Sequence, residues 1–125
     1  VEVGTQLGRV LGSIVRNKAG DIAHYSFKGI PYAEPPVDNL RFRDPVAKRP
    51  WIGTLNATAF GSPCVQGNYL DPNSTELLGS EDCLFVNVFT PTLPARNYGR
   101  VVSPESLKPV MVFIHGGSFE YGSGT

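Results

Sequence analysis

The chain has 125 residues, enough for one small domain. A 41% share of aliphatic and aromatic residues is ordinary for a globular protein and excludes dominant disorder. The 11 basic and 11 acidic residues cancel, and no basic patch or run stands out, which makes nucleic acid and anionic membrane surfaces poor partner expectations.

Fourteen glycines and 11 prolines mean frequent turns and few long helices. No apolar run approaches the roughly 18 residues that would span a bilayer. Val1 is followed at once by Glu2, with no apolar stretch typical of a signal peptide. The numbering is therefore expected to start at a mature N-terminus or partway through a longer chain.

Residues 7–16, LGRVLGSIVR, alternate loosely between apolar and polar, and residues 22–28, IAHYSFK, follow the turn signal of residues 18–21. Together they predict an antiparallel hairpin. His24 lies in its second strand and reads as a surface residue or one with a local partner, rather than a catalyst.

Residues 29–50 contain Pro31, Pro35, Pro36, Pro45 and Pro50, a density that forbids helix and central strand alike. An extended wrap is expected, with Tyr32, Leu40, Phe42 and Trp51 plugging into the body.

Cys64 and Cys83 permit one disulfide, with two free buried thiols as the alternative. Asn56-Ala57-Thr58 and Asn73-Ser74-Thr75 fit the N-glycosylation pattern. Two such triplets beside a plausible disulfide favour a secreted, oxidising setting. The stretch between the cysteines is polar and turn-rich, in the manner of an omega-type surface loop.

Residues 84–89, LFVNVF, predict a strand that is apolar except for Asn87, and Pro91 and Pro94 stop it. Residues 92–109 are expected to form a loop or hairpin excursion with Gly99, Pro104 and Pro109. Residues 110–114, VMVFI, then predict a strand buried on both faces, near the centre of a helix-covered sheet. There is no internal repeat.

His115-Gly116-Gly117-Ser118-Phe119 follows that strand directly. Glycines at a strand end let the backbone turn sharply and approach a ligand closely. Successive N–H groups can then point into one small space and stabilise the negative oxygen of a tetrahedral intermediate. Losing one such donor typically raises the barrier by about 3 kcal/mol. His115 fits a role in ordering the loop better than one as a base. The bland alternative is a plain strand-to-turn Gly-Gly.

Several blocks, in order, then carry a resemblance. FKGIPYAEPP at residues 27–36, LRF at 40–42, WIG at 51–53, SEDCLFVNVF at 80–89 and VMVFIHGGSF at 110–119 resemble the type-B carboxylesterase and cholinesterase family of α/β-hydrolases. The resemblance implies an α/β fold, specifically the N-terminal portion of an α/β-hydrolase fold. In it, N-terminal antiparallel strands lead into a central, mostly parallel sheet, here incomplete. Residues 1–125 are then the N-terminal part of a single carboxylesterase type-B domain, ending before the nucleophile elbow. No Gly-x-Ser-x-Gly occurs among them.

The same resemblance implies carboxylic-ester hydrolysis by acyl transfer through a serine, with no cofactor and no metal. The partner would be a small-molecule ester. No oligomeric state is implied. Gly117 and Ser118 would donate oxyanion-hole N–H groups, with Gly116 supporting the loop. Cys64 and Cys83 match the family's first disulfide. Arg41 and Glu81 match a buried ion pair, in which loss of one partner would cost about 3–5 kcal/mol. Ser118 departs from the family, which has glycine there. The loop between the cysteines also lacks the tryptophan of the acetylcholine-cleaving subgroup and holds only Tyr69 as an aromatic. Two other readings stand beside esterase: a non-catalytic adhesion relative, and a truncated product without function of its own.

Overall fold

The computed structural model describes residues 1–68, 71, 73–93 and 107–125 of the chain. The expected excursion around Pro94, Gly99 and Pro104 lies outside the described residues, as does Tyr69.

The described residues form two three-stranded sheets and a small ladder. The first sheet joins β1 (Glu2–Gly4), β2 (Arg9–Leu11) and β5 (Thr54–Asn56), in the order β1-β2-β5. β1 runs antiparallel to β2, and β5 runs parallel to it. The second joins β3 (Ser13–Arg16), β4 (Ile22–Pro31) and β8 (Phe85–Thr90), all antiparallel, with β4 in the middle. Between β5 and β8 lies a ladder of β6 (Gln66–Gly67) on β7 (Leu77–Leu78). A single 3-10 turn, Asp38–Leu40, is the helical element among the described residues.

The predicted hairpin is present from Ser13 onward, closed by Asn17, whose side-chain oxygen accepts from the N–H groups of Ala19 and Asp21. Its first strand is not continuous over residues 7–16. It breaks at Gly12, and β2 belongs to the other sheet. The cause is steric. A Cβ at Gly12 would sit 2.6 Å from the carbonyl oxygen of Ser26 and equally close to the ring edge of Phe27. Only a residue without a side chain lets the strand cross over that ring.

Phe27 is the centre of the core. It is buried with Val10 and Ala57, and Val3, Tyr25, Ile30, Trp51 and Leu55 pack around the three. Two backbone hydrogen bonds of Ala57 stitch the sheets together there: its N–H donates to Leu11, and its carbonyl accepts from Lys28.

The proline-rich segment folds back on itself. Ala33 bridges Ala47, Glu34 N–H donates to Val46, and Lys48 N–H donates to Tyr32. Of the four side chains expected to plug into the body, Trp51 packs on the core, and its indole N–H donates to the Arg9 carbonyl at 2.9 Å. Leu40 is half-buried, whereas Tyr32 is 51% exposed and Phe42 is 95% exposed. Phe42 follows the 3-10 turn with φ at 58°, which swings its ring outward to lie beside the Arg41 guanidinium.

Residues 110–114 are corrected as well. They form no strand, and their side chains are 81–96% exposed. A strand that is apolar on both faces needs hydrogen-bonding neighbours and a covering layer on each side. The described residues supply neither.

Candidate functional site

The apolar run leads into His115. From there the chain closes into a tight turn. Gly117, Ser118 and Phe119 have φ of 119°, 56° and 62°, all in the left-handed half of backbone space. Glu120 N–H donates to the Gly117 carbonyl at 2.9 Å, and Tyr121 N–H donates to the same oxygen at 3.2 Å. Two central residues with positive φ match the primed class of tight turn, which favours Gly, Asn and Asp. Ser and Phe in that conformation store on the order of 1 kcal/mol each. At Gly117 a side chain would overlap the carbonyl of Tyr121, so glycine is required there.

This folding leaves the N–H groups of Gly117 and Ser118 without an acceptor among the described residues. They are adjacent donors in a turn whose own ladder is completed by Glu120 and Tyr121. His115 is exposed, with its Nδ1 2.7 Å from the Gly116 carbonyl. A carbonyl only accepts, so the proton sits on Nδ1 in this arrangement, and the ring braces the loop.

Cys64 and Cys83 form a disulfide, with Cα atoms 4.9 Å apart. The loop base is knit further by the Cys64–Ser80 bridge and the β6–β7 pairs. Beside it Arg41 Nε lies 2.6 Å from Glu81 Oε1. The pair is formed but is not buried, with the two side chains 58% and 41% exposed. An exposed pair contributes under about 1 kcal/mol, well below the figure for a buried one. No layer among the described residues covers it. Arg41, Glu81 and both cysteines line one shallow, open pocket together with Phe42 and Val65.

Asn56 and Asn73 are both exposed. Asn56 lies at the end of the edge strand β5, and its Oδ1 accepts from the Thr58 hydroxyl at 2.8 Å. Among the described residues no helix is long and apolar enough to cross a membrane. None of them form a group of three or more His, Cys, Asp or Glu placed to hold a metal ion.

Two side chains that sequence reasoning did not single out connect the turn to the body. The amide of Gln66 exchanges two hydrogen bonds with the backbone of Gly122, and that of Asn87 joins Gly29 to Gly124. Asn87 had a signal, as the one polar residue in a run of apolar ones. Gln66 had none.

A model of the carboxylesterase family matches residues 1–125. The chain belongs to the carboxylesterase family. It is 47% identical over 100 residues to esterase E4 of Myzus persicae, a match covering 80% of this chain and 17% of the relative. It is 42% identical over 123 residues to juvenile hormone esterase of Tribolium castaneum, covering 98% and 19% respectively. A solved PNB esterase structure superposes with a TM-score of 0.72 at 43% identity, over 99% of this chain and 23% of that one. This family member therefore has the fold of the N-terminal portion of an α/β-hydrolase, rendered as a strand-rich body. It spans about a fifth of the length of these relatives.

Proposed function

We propose that this chain contributes the donor half of an ester-hydrolase active site, and that residues 1–125 are the N-terminal part of a single carboxylesterase domain. The Gly117 and Ser118 N–H groups hold the oxyanion of the tetrahedral intermediate, and Gly116 supports the loop. The reaction is acyl transfer from a small carboxylic ester through a serine that lies outside these residues. The observation that carries the reading is the left-handed turn at residues 117–119. It spends backbone strain on presenting two adjacent donors, and such strain clusters where function needs it.

The protein expressed from its full coding sequence should hydrolyse p-nitrophenyl esters, and the purified 125-residue chain should not. An oxyanion hole without a nucleophile stabilises a charge that nothing creates. Turnover by the 125-residue chain would contradict this division of labour. A downstream elbow without serine would leave the adhesion reading instead.

Ser118 bears on which esters fit. Its Cβ and hydroxyl occupy a turn position where the family has glycine. Exchanging it for glycine in the active protein should reorder rates among bulky esters by a few-fold, on the scale of about 1 kcal/mol for small changes in a pocket. An unchanged ranking removes that role.

The disulfide and the exposed sequons at Asn56 and Asn73 support a secreted glycoprotein. Protein made in a secreting eukaryotic cell should lose mass on deglycosylation, and the double variant N56Q/N73Q should not.

A further inference from the structure

The turn that presents the two donors is not held by its own hydrogen bonds alone. Its return limb, residues 122–124, is gripped by side-chain amides from two other parts of the chain. Gln66 is 8% exposed, and its Oε1 accepts from Gly122 N–H at 2.8 Å. Its Nε2 donates to the Gly122 carbonyl at 3.0 Å and to the Cys64 carbonyl at 3.0 Å. Three hydrogen bonds satisfy one buried amide, and both polar ends of it are spent on a single residue of the return limb. Asn87 grips two residues further on: it accepts from Gly29 N–H at 2.9 Å and donates to the Gly124 carbonyl at 3.0 Å.

Gly122 packs directly against the outgoing limb. A Cβ there would sit 2.7 Å from the Gly116 carbonyl, and the His115 ring is as close. Movement of Gly122 therefore moves His115 and Gly116, and with them the N–H vectors of Gly117 and Ser118.

We propose that Gln66 is a positioning residue for the oxyanion turn, with Asn87 as a second, weaker support. The inference rests on the reading of Gly117 and Ser118 as oxyanion donors. The amide does not touch the substrate. It fixes one limb of the loop to the base of the disulfide loop, so that the donors are aligned before the charge develops. Donors aimed in advance are effective because they need no reorganisation during reaction.

The test uses the protein expressed from its full coding sequence, with the variants Q66M and Q66E. Methionine preserves volume and removes all three hydrogen bonds. Glutamate keeps the acceptor for Gly122 N–H and sets a carboxylate oxygen against two carbonyls. Both should lower kcat by about tenfold or more, counted per site titrated with a reactive phosphonate ester. KM should change less than about threefold, because the lost alignment matters most in the transition state. N87A should follow the same pattern with a smaller loss.

Amide hydrogen exchange at Gly122 supplies a readout independent of activity, and Q66M should speed it at least tenfold. A wild-type kcat in both variants overturns the proposal, as does a rise in KM with kcat unchanged. Unchanged exchange at Gly122 in Q66M overturns it as well. If the wild-type protein neither cleaves esters nor reacts with the phosphonate, the esterase reading fails. The exchange experiment then still decides whether Gln66 holds the loop.

Discussion

Two apolar runs, residues 84–89 and residues 110–114, look alike as sequence and differ as structure. The first yields β8, which pairs with β4 and places Asn87 beside Gly29. The second forms no strand and stays exposed. The difference lies in what surrounds them. β4 offers the edge opposite β3, so the first run finds a ladder, even though Val86, Val88 and Phe89 stay 43–53% exposed. No described strand or helix does that for the second. Hydrophobicity measures a segment's demand for burial, and topology determines whether the demand is met.

The sharpest test of that contrast compares one truncation in each region. Phe27 is 5% exposed, so F27A should cost about 3–5 kcal/mol in chemical denaturation of the 125-residue chain. Val112 is 81% exposed, and V112A should stay within about 0.5 kcal/mol. Comparable losses would mean that the second run is buried in solution, and the comparison would break.

A somewhat smaller effect is expected where the two regions meet. Replacing both Cys64 and Cys83 by serine opens a loop with a sequence separation of 19. The chain-entropy argument puts the loss at about 3 kcal/mol. Because Gln66 sits two residues beyond Cys64 and holds Gly122, the same variant should also weaken amide protection at Gly122. Lost stability with Gly122 protection unchanged would show that the turn does not depend on the disulfide base.

The sequence revealed elements and chemistry wherever the cause was local. Residues 18–21 read as a turn from their own composition, and the side chain of Asn17 closes it; the disulfide pairing followed from family motifs. The split at Gly12 was hidden, because it depends on Phe27, 15 residues away, approaching the backbone. The exposure of Phe42 was hidden for a related reason: an aromatic reads as core until its φ is known. Within the candidate site, the turn that carries the proposed donors was legible as a glycine pair after an apolar run. The grip on their loop was not, since Gln66 and Gly122 are 56 residues apart and neither is unusual alone.

The smallest expected effect belongs to the proline-rich wrap, which tests whether folded-back coil contributes to the body's stability at all. Glu34 holds it closed: its carboxylate accepts from Lys48 Nζ at 2.8 Å and from Arg49 N–H at 3.0 Å. The Lys48 hydrogen bond first, then that of Arg49, lowers the Glu34 pKa below its ordinary value of 4.5. A carboxyl whose folded pKa is depressed stabilises fully above its unfolded value, and that stabilisation fades as pH falls through the lower folded one. E34Q should therefore match wild type most closely in strong acid and fall slightly behind it at neutral pH. Denaturation midpoints measured from pH 7 down to about pH 3 would show the two curves converging. Curves that stay parallel throughout would mean that the wrap's ion pair carries no stability, and that the hydrogen bonds between residues 32–34 and 46–48 close the segment unaided.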